Sequence, residues 1–301
     1  MLPLFDLHCD TLTRAYENEY SLFDSSLQAS FCKSKGFLPY IQVMAIWTNN
    51  ALTDSEGYKR YLSTYKFAKA QGVSFATFAS ELTNSALILS IEDARIIEDD
   101  ISRLSSLYSD GVRIITPLWK DISRIGGAWN TNLGLTDFGK KAISKMVELG
   151  ITVDLSHASC RSFYDILLIC VEAEKIPIAS HSNSYFACPH RRNLLKSQAR
   201  DLILLNSLIG ISLAPEHLNA SSKADISDIL RHIDYYLALG AKNSLCLGCD
   251  FDGIGSLPNG IDDISDLEHL YFCVEKQFGK EIANKIFFEN AYAFTVKNIL
   301  D

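Results

Sequence analysis

Residues 3–10 read PLFDLHCD, an apolar run that ends in a histidine and an aspartate two positions apart. In a β-strand, residues two apart project from the same face, so we expect His8 and Asp10 to lie side by side while Cys9 points the other way. The first strand of a doubly wound α/β sheet is usually followed by a glycine-rich turn. Here charged side chains stand at that position, which disfavours the doubly wound arrangement.

Seven further strand-like runs follow in this chain of 301 residues. They are almost continuously apolar, which is typical of parallel strands buried on both faces. The eight runs are PLFDLH from Pro3, YIQVMAIW from Tyr40, ALILSIE from Ala86, GVRIITPLW from Gly111, ITVDLSH from Ile151, PIASHS from Pro177, LIGISLA from Leu208 and SLCLGCDFD from Ser244.

The segments between these runs have the spacing and the end signals of helices. Residues 136–150 begin with Thr136, a good N-cap, and end at Gly150, a good residue for terminating a helix. Residues 99–111, 197–208 and 222–240 fit the same role. Eight strands alternating with helices, with no repeat and no linker, predict one (β/α)8 TIM barrel domain over residues 1–301.

Charge and cysteine content exclude several functional classes. The formal net charge is −8 and the isoelectric point about 5.4, which argues against binding to nucleic acid. No signal peptide, membrane-spanning stretch or anchor-like tail is visible, so we expect no membrane association. The eight cysteines are scattered, and Cys246 and Cys249 form a CxxC without a second cysteine pair. We therefore expect reduced thiols and a cytoplasmic protein.

Polar residues cluster at the carboxyl ends of the predicted strands, the rim at which barrel enzymes build their active sites. Imidazoles and carboxylates that converge there could hold divalent metal ions. The residues are His8, Asp10, Glu92, His157, His181, Asp250 and Asp252.

Other interpretations of these residues stay open at this point. Ser180 and Ser182 flank His181 and raise the possibility of serine hydrolysis, although no GxSxG sequence is present. A non-catalytic barrel could use the rim residues to bind a ligand or to stabilise the barrel mouth. The remaining histidines, His217, His232 and His269, are predicted to be surface or structural residues.

In order along the chain, eight motifs make it resemble the membrane (renal-type) dipeptidase family, binuclear zinc dipeptidases of the amidohydrolase-like barrel group. The motifs are FDLHCDTL from Phe5, AIW from Ala45, SIEDAR from Ser90, GVRIIT from Gly111, GLTDFGK from Gly134, DLSHAS from Asp154, SHSNS from Ser180 with CPHRRN from Cys188, and GCDFDG from Gly248.

The resemblance implies a (β/α)8 barrel with two zinc ions per chain and a metal-bridging hydroxide that attacks the peptide bond of a small dipeptide. His8 and Asp10 would bind one metal ion and His157 and His181 the other, with Glu92 bridging both. Two further site residues are implied, namely Arg192 for the substrate carboxylate and Asp250 for its amino group and for proton transfer. The resemblance also implies a homodimer and leaves open whether the C-terminal residue has the D configuration.

One loop departs from the family pattern. After GVRIIT many relatives place a histidine or asparagine near the substrate carbonyl, whereas this chain has Trp119, Lys120 and Asp121. Lys120 could act as a cationic partner of the oxyanion or be an ordinary solvated lysine. The altered loop motivates an alternative substrate class, another small amide such as an N-acyl amino acid or a lactam.

Overall fold

The computed structural model describes residues 1–49, 51–98, 100–221 and 223–300. Its strands are β1 (Leu2–Cys9), β2 (Phe37–Trp47), β3 (Ser85–Glu92), β4 (Val112–Thr116), β5 (Thr152–Val153), β6 (Ile209–Ile211) and β7 (Leu245–Leu247). They form one parallel sheet in the order β5–β4–β3–β2–β1–β7–β6. The chain is thus a single-domain α/β fold in which seven strands form a half-barrel.

Strand β1 is an interior strand of the sheet, and its sequence is apolar on both faces. Phe5, Leu7 and Cys9 are fully buried, and so is Leu4 on the alternate face. Strand β1 pairs in parallel with β2 on one side and with β7 on the other. The first residues of the chain therefore lie inside the sheet and carry His8 near the carboxyl end of β1.

The sixth apolar run, from Pro177, is not one of the seven strands, so the predicted count of eight is not met. It contacts both edges of the sheet through single bridges. The Ile178 N–H donates to the Val153 carbonyl at 3.0 Å, and the Ala179 N–H donates to the Leu208 carbonyl at 2.9 Å. The bridges stay isolated because the backbone soon leaves the extended path at Ser180, where it packs tightly against its neighbours.

Two glycines make that tight packing possible. A Cβ atom added to Gly210 would lie 1.8 Å from the Ser180 carbonyl oxygen, and one added to Gly248 would lie 1.7 Å from the same atom. Since no side chain fits at these distances, only glycine allows strand β6 and the residue after β7 to approach Ser180 this closely.

Helices flank the strands as the sequence predicts. Thr136 caps a helix with its Oγ1, which accepts a hydrogen bond from the Gly139 N–H, and Gly150 follows that helix with φ of 81°. Asp99 and Ser222, which begin two of the predicted helical segments, lie outside the described residues. The helices are α1 (Thr11–Asn18), α2 (Asp54–Ala70), α3 (Arg103–Ser109), α4 (Asp137–Glu148), α5 (Cys160–Glu172), α6 (Lys196–Leu204), α7 (Pro215–Leu218), α8 (Ile226–Ala238), α9 (Leu267–Phe278), α10 (Lys280–Asn284) and α11 (Asn290–Asn298), with a π-helical turn at Lys285–Glu289 and 3₁₀ turns at Ser34–Gly36, Ala79–Glu81, Ala94–Ile97, Ala241–Asn243 and Ile264–Asp266.

None of the helices within the described ranges has the length and apolar character needed to cross a bilayer.

Candidate active site

The Glu92 carboxylate, at the end of β3, is the centre of a cluster of imidazoles. Its Oε1 lies 2.9 Å from His157 Nε2 and 3.5 Å from His181 Nε2, and its Oε2 lies 3.6 Å from His8 Nε2. The same His8 nitrogen lies 3.4 Å from Asp10 Oδ2. The structure thus brings together the five residues that the sequence predicts as metal ligands.

The ring of His157 is oriented by the backbone of the loop after β4. Its Nδ1 lies 2.9 Å from the carbonyl oxygen of Trp119, so this nitrogen carries the proton and donates it. In the neutral ring, Nε2 is then the nitrogen with the free lone pair, and it faces Glu92. Burial and the charge of Arg192 lower the pKa of His157 to about 4, so the ring is neutral near pH 7.

A buried chain of hydrogen bonds orients His181 in the same way. Ser180 donates its single hydroxyl proton to Asp154 Oδ2 at 2.5 Å, so at 2.7 Å the Ser180 oxygen must accept the proton of His181 Nδ1. Asp154 also accepts from the Thr116 hydroxyl at 2.6 Å. The hydroxyl of Ser180 is buried and uses its proton and a lone pair in these two hydrogen bonds, which argues against Ser180 as a nucleophile.

Because of these contacts, the Nε2 lone pairs of His157 and His181 both face the carboxylate of Glu92. The Nε2 atoms of His157 and His181 lie 2.9 Å apart, both without a proton in the neutral tautomers, and both face the carboxylate of Glu92. Two buried atoms beside them, His8 Nε2 and Asp10 Oδ1, have no hydrogen-bond partner in the described structure. Converging lone pairs and unpartnered carboxylate oxygens fit divalent cations, which would satisfy all of them.

Two overlapping groups have the geometry to hold a metal ion. One is His8, Glu92 and His181, and the other is His8, Asp10 and Asp250. Asp250 enters the second group because its Oδ1 lies 3.7 Å from His8 Nε2. Burial raises the pKa of Asp250 well above its usual range. At Glu92 the effect of burial is outweighed by the positive charge of His8, which holds the pKa of that carboxyl well below its usual range.

Two site residues sit in the left-handed region of the backbone. His157 has φ of 67° and Asp250 has φ of 66°. For a residue other than glycine this conformation costs roughly 1–3 kcal/mol, and such residues are concentrated at functional sites. Asp252 has the same conformation, with φ of 65°, but it accepts hydrogen bonds from the Thr11 hydroxyl and from the Gln28 and Ala29 amides, so it fixes a loop.

Two cavities meet at His157. The first, which we call the acidic cavity because carboxylates such as Asp250 line it, has a volume of about 440 Å³. It lies over the cluster, and its lining also includes Trp47 and Trp119. The second, which we call the basic cavity because Arg161, Arg191 and Arg192 line it, has a volume of about 340 Å³ and lies beyond His157.

Arg192 is almost wholly buried. Its Nη2 donates to the His181 carbonyl at 3.4 Å, and its Nε has no partner within the described residues. The structure therefore places Arg192 next to the metal-ligand candidates but in a cavity different from that of Asp250.

The loop that departs from the family pattern presents Trp119 to the site. The Trp119 ring packs edge-on against Trp47 with 4.9 Å between ring centroids. The side chain of Lys120 is exposed and does not line the acidic cavity, while its carbonyl accepts from Arg95 at 2.6 Å. The structure thus gives no support to Lys120 as an oxyanion partner.

Sequence reasoning missed Asp154 and His217. His217 lines the acidic cavity and packs against His190 with 4.7 Å between ring centroids and 38° between the ring planes. It follows the seventh apolar run, so the rule that found the other rim residues could have found it. Asp154 lies inside its run, where only the three-dimensional structure reveals the contact with Ser180.

Comparison with known proteins identifies relatives over the whole chain. The model of the membrane dipeptidase family (peptidase family M19) matches residues 1–294. A Klebsiella pneumoniae protein, described as an uncharacterized protein in the pqqA 5′ region, is 31% identical over 197 residues, which are 62% of this chain and 71% of the relative.

Two similar solved structures have a TM-score of 0.90 and cover 99% of both chains. One is the dipeptidase AC, a metallopeptidase of family M19, at 22% identity. The other is a metallopeptidase from Rhodobacter sphaeroides liganded with a phosphinate mimic of the dipeptide L-Ala-D-Ala, at 21% identity. At these identities the two structures establish the fold of the chain.

Proposed function

Because the chain belongs to the membrane dipeptidase family (peptidase family M19), we infer that it is a metal-dependent dipeptidase. The observation that carries this inference is the convergence of the His157 and His181 lone pairs on Glu92. The dipeptide mimic bound to the Rhodobacter sphaeroides relative supports a small dipeptide as the substrate.

We propose that the metal is zinc, with two ions per chain. His8 and Asp10 would hold one ion, His157 and His181 the other, and Glu92 would bridge them. The unpartnered buried atoms of His8 and Asp10 support this assignment. Ions bound there supply the Lewis acidity that lowers the pKa of water and polarises a carbonyl.

The chain's own residues would bind and orient the substrate. Arg192 can take the terminal carboxylate through two parallel hydrogen bonds, since its guanidinium is buried and partly unpartnered. Asp250 would bind the free amino group. Its raised pKa also suits a carboxyl that holds a proton on an oxygen and passes it to the leaving amine.

Three further features belong to the same proposal. The run from Pro177 would act as an eighth strand that closes a (β/α)8 barrel, supported by its bonds to both sheet edges. The eight cysteines are free, which supports a cytoplasmic location. A homodimer rests on the family resemblance alone.

Metal analysis combined with a substrate panel tests the proposal. We expect about two divalent ions per chain, turnover of dipeptides, loss of turnover with a chelator and recovery with zinc. Full activity of metal-free protein would contradict the proposal. Turnover of an N-acyl amino acid or a lactam, with no dipeptide cleaved, would favour the alternative amidohydrolase.

A further inference from the structure

The two cavities that meet at His157 carry opposite charge. The lining of the acidic cavity has one arginine, Arg14, and six carboxylates: Asp10, Glu17, Glu92, Glu216, Asp250 and Asp252. The lining of the basic cavity has three arginines, Arg161, Arg191 and Arg192, and among the described residues no aspartate or glutamate. A difference this large between adjoining cavities predicts that they select different ends of a ligand.

Within the described residues, Arg161 and Arg191 make no ion pair, whereas Arg192 is stabilised by the charges of Asp250, Glu92, Asp154 and Glu216. Among the described residues, the acceptors of Arg191 are neutral: the carbonyls of Asn130 and Thr131 and the side-chain oxygen of Asn132. Arg161 makes no ion pair with any described residue, and the unpartnered Nε of Arg192 is buried. Two exposed guanidiniums, Arg161 and Arg191, that make no ion pair with a described residue favour an anionic occupant of the cavity.

The first turn of α5 adds to the positive potential. Cys160 and Arg161, which begin this helix, both line the basic cavity. The amino end of a helix of thirteen residues carries a partial positive charge from its free N–H groups. The helix end and the three arginines thus favour the same sign of ligand.

One of the three arginines already has a role in the proposed function. Arg192 would hold the α-carboxylate of the C-terminal residue, which places the side chain of that residue in the basic cavity. Arg161 and Arg191 then remain for a second anionic group. The aromatic and aliphatic wall, including Trp129, Phe163 and Leu194, can cover the carbon atoms between the two charges.

We propose that the basic cavity selects dipeptides whose C-terminal residue is acidic, aspartate or glutamate, with Arg161 and Arg191 binding its side-chain carboxylate. This inference rests on the proposed dipeptidase function and extends it to a substrate class. The preference concerns the C-terminal side chain alone, because the two arginines lie in the basic cavity and not among the residues that line the acidic one.

The test compares substrates that differ by charge at nearly constant shape. The zinc-loaded enzyme is given Ala-Glu and Ala-Gln, each with an L and a D residue at the C-terminus. The quantity measured is the ratio of kcat/KM for the acidic substrate to kcat/KM for its amide. Because the ratio is taken within one enzyme, a partly misfolded preparation does not change it.

We expect a ratio of about ten or more in the wild type. Arg161→Gln and Arg191→Gln should each lower it about fivefold, the size of one partly solvated ion pair. Arg200→Gln removes an exposed charge from α6 outside the cavity lining and should leave the ratio unchanged. Added salt should lower the wild-type ratio.

The failure of this inference differs from the failure of the proposed function. A ratio near one, with both substrates cleaved, overturns the acidic preference and leaves the dipeptidase intact. A high ratio that neither variant lowers overturns the roles of Arg161 and Arg191. If no dipeptide is cleaved while an N-acyl amino acid is, both the function and the inference are wrong.

Discussion

The acidic and basic cavities differ in how their charged groups are held. At the acidic cavity the central groups stand at strand ends and are buried: Glu92, which lines the cavity, is 3% exposed, and His8, beside Glu92, is 2% exposed. In the basic cavity Arg161 and Arg191 are exposed and come from a helix end and a loop. In the proposed function, bond cleavage and substrate selection therefore depend on different structural supports. Bond cleavage needs reacting groups that are held in a precise geometry, whereas selection of a substrate by charge tolerates movement of the charged side chains.

The largest effect should come from the centre of the acidic cavity. Glu92→Gln keeps the shape of the side chain but removes the charge that His8, His157 and His181 surround. We expect kcat/KM for dipeptides to fall about 10³-fold, because several kcal/mol of charge stabilisation depend on the bound metal. Metal content should fall as well.

The control for this variant is Glu148→Gln, which changes an exposed carboxylate at the end of α4. It should leave kcat/KM and metal content unchanged. Near-normal turnover by Glu92→Gln would show that the cluster is not the catalytic centre.

The next effect separates the two cavities. Arg192→Ala should raise KM about 100-fold for dipeptides with a free carboxylate, since a buried charge-assisted pair is lost. The KM for dipeptides with an amidated C-terminus should change little, and the metal content of the variant should stay normal. Steady-state kinetics on both substrate types measures the split, and equal losses would contradict carboxylate binding.

A smaller effect tests the support behind the acidic cavity. Asp154→Asn alters the hydrogen-bond chain through Ser180 that fixes the tautomer of His181. We expect zinc affinity to fall roughly 10–100-fold, as measured by competition with a chelating dye. Asp137→Asn, on the surface of α4, is the matched control. Unchanged affinity would mean that His181 needs no such orientation.

The smallest effect concerns the support behind the basic cavity. His232 Nδ1 accepts from the Ser184 N–H, and its Nε2 donates to the Leu218 carbonyl, so the ring is neutral and fully buried. Burial lowers the pKa of His232 to about 4. The unfolded chain binds this proton near pH 6.5, so the stabilisation is complete above pH 6.5 and is lost as the pH falls towards 4.

Between pH 8 and pH 5 this single group should cost about 2 kcal/mol of unfolding free energy. Urea unfolding of chelator-treated wild type and His232→Gln at both pH values isolates the contribution. The stability gap between the two proteins should narrow by that amount at pH 5. A constant gap would show that His232 titrates normally.

The sequence predicts those site residues whose signal lies in the local pattern of a single strand. His8, Asp10, Glu92 and His181 could be placed at one rim because parallel strands end at the same side of a sheet. The roles of Asp154 and Trp119 could not be predicted, because a carboxylate and a carbonyl orient imidazoles through contacts between separate strands. His217 was predicted to be a surface or structural residue, although its position after the seventh apolar run could have assigned it to the rim.

The strand prediction shows the same limit. Seven apolar runs became strands of the sheet, but the run from Pro177 makes only isolated bridges. Its composition resembles that of the others, and what distinguishes it is the close contact of Ser180 with the backbone of two other segments. Hydrophobic pattern alone does not contain information about such a contact.

Gly210 and Gly248 set the distance between Ser180 and the neighbouring backbone, and His181 is the next residue. Two residues without a side chain, Gly210 and Gly248, thereby determine where the imidazole of His181 lies. A saturation screen scored for turnover should find both positions intolerant even of alanine. Redesign of this scaffold for a new substrate should therefore leave both glycines untouched and vary the arginine-bearing loop instead.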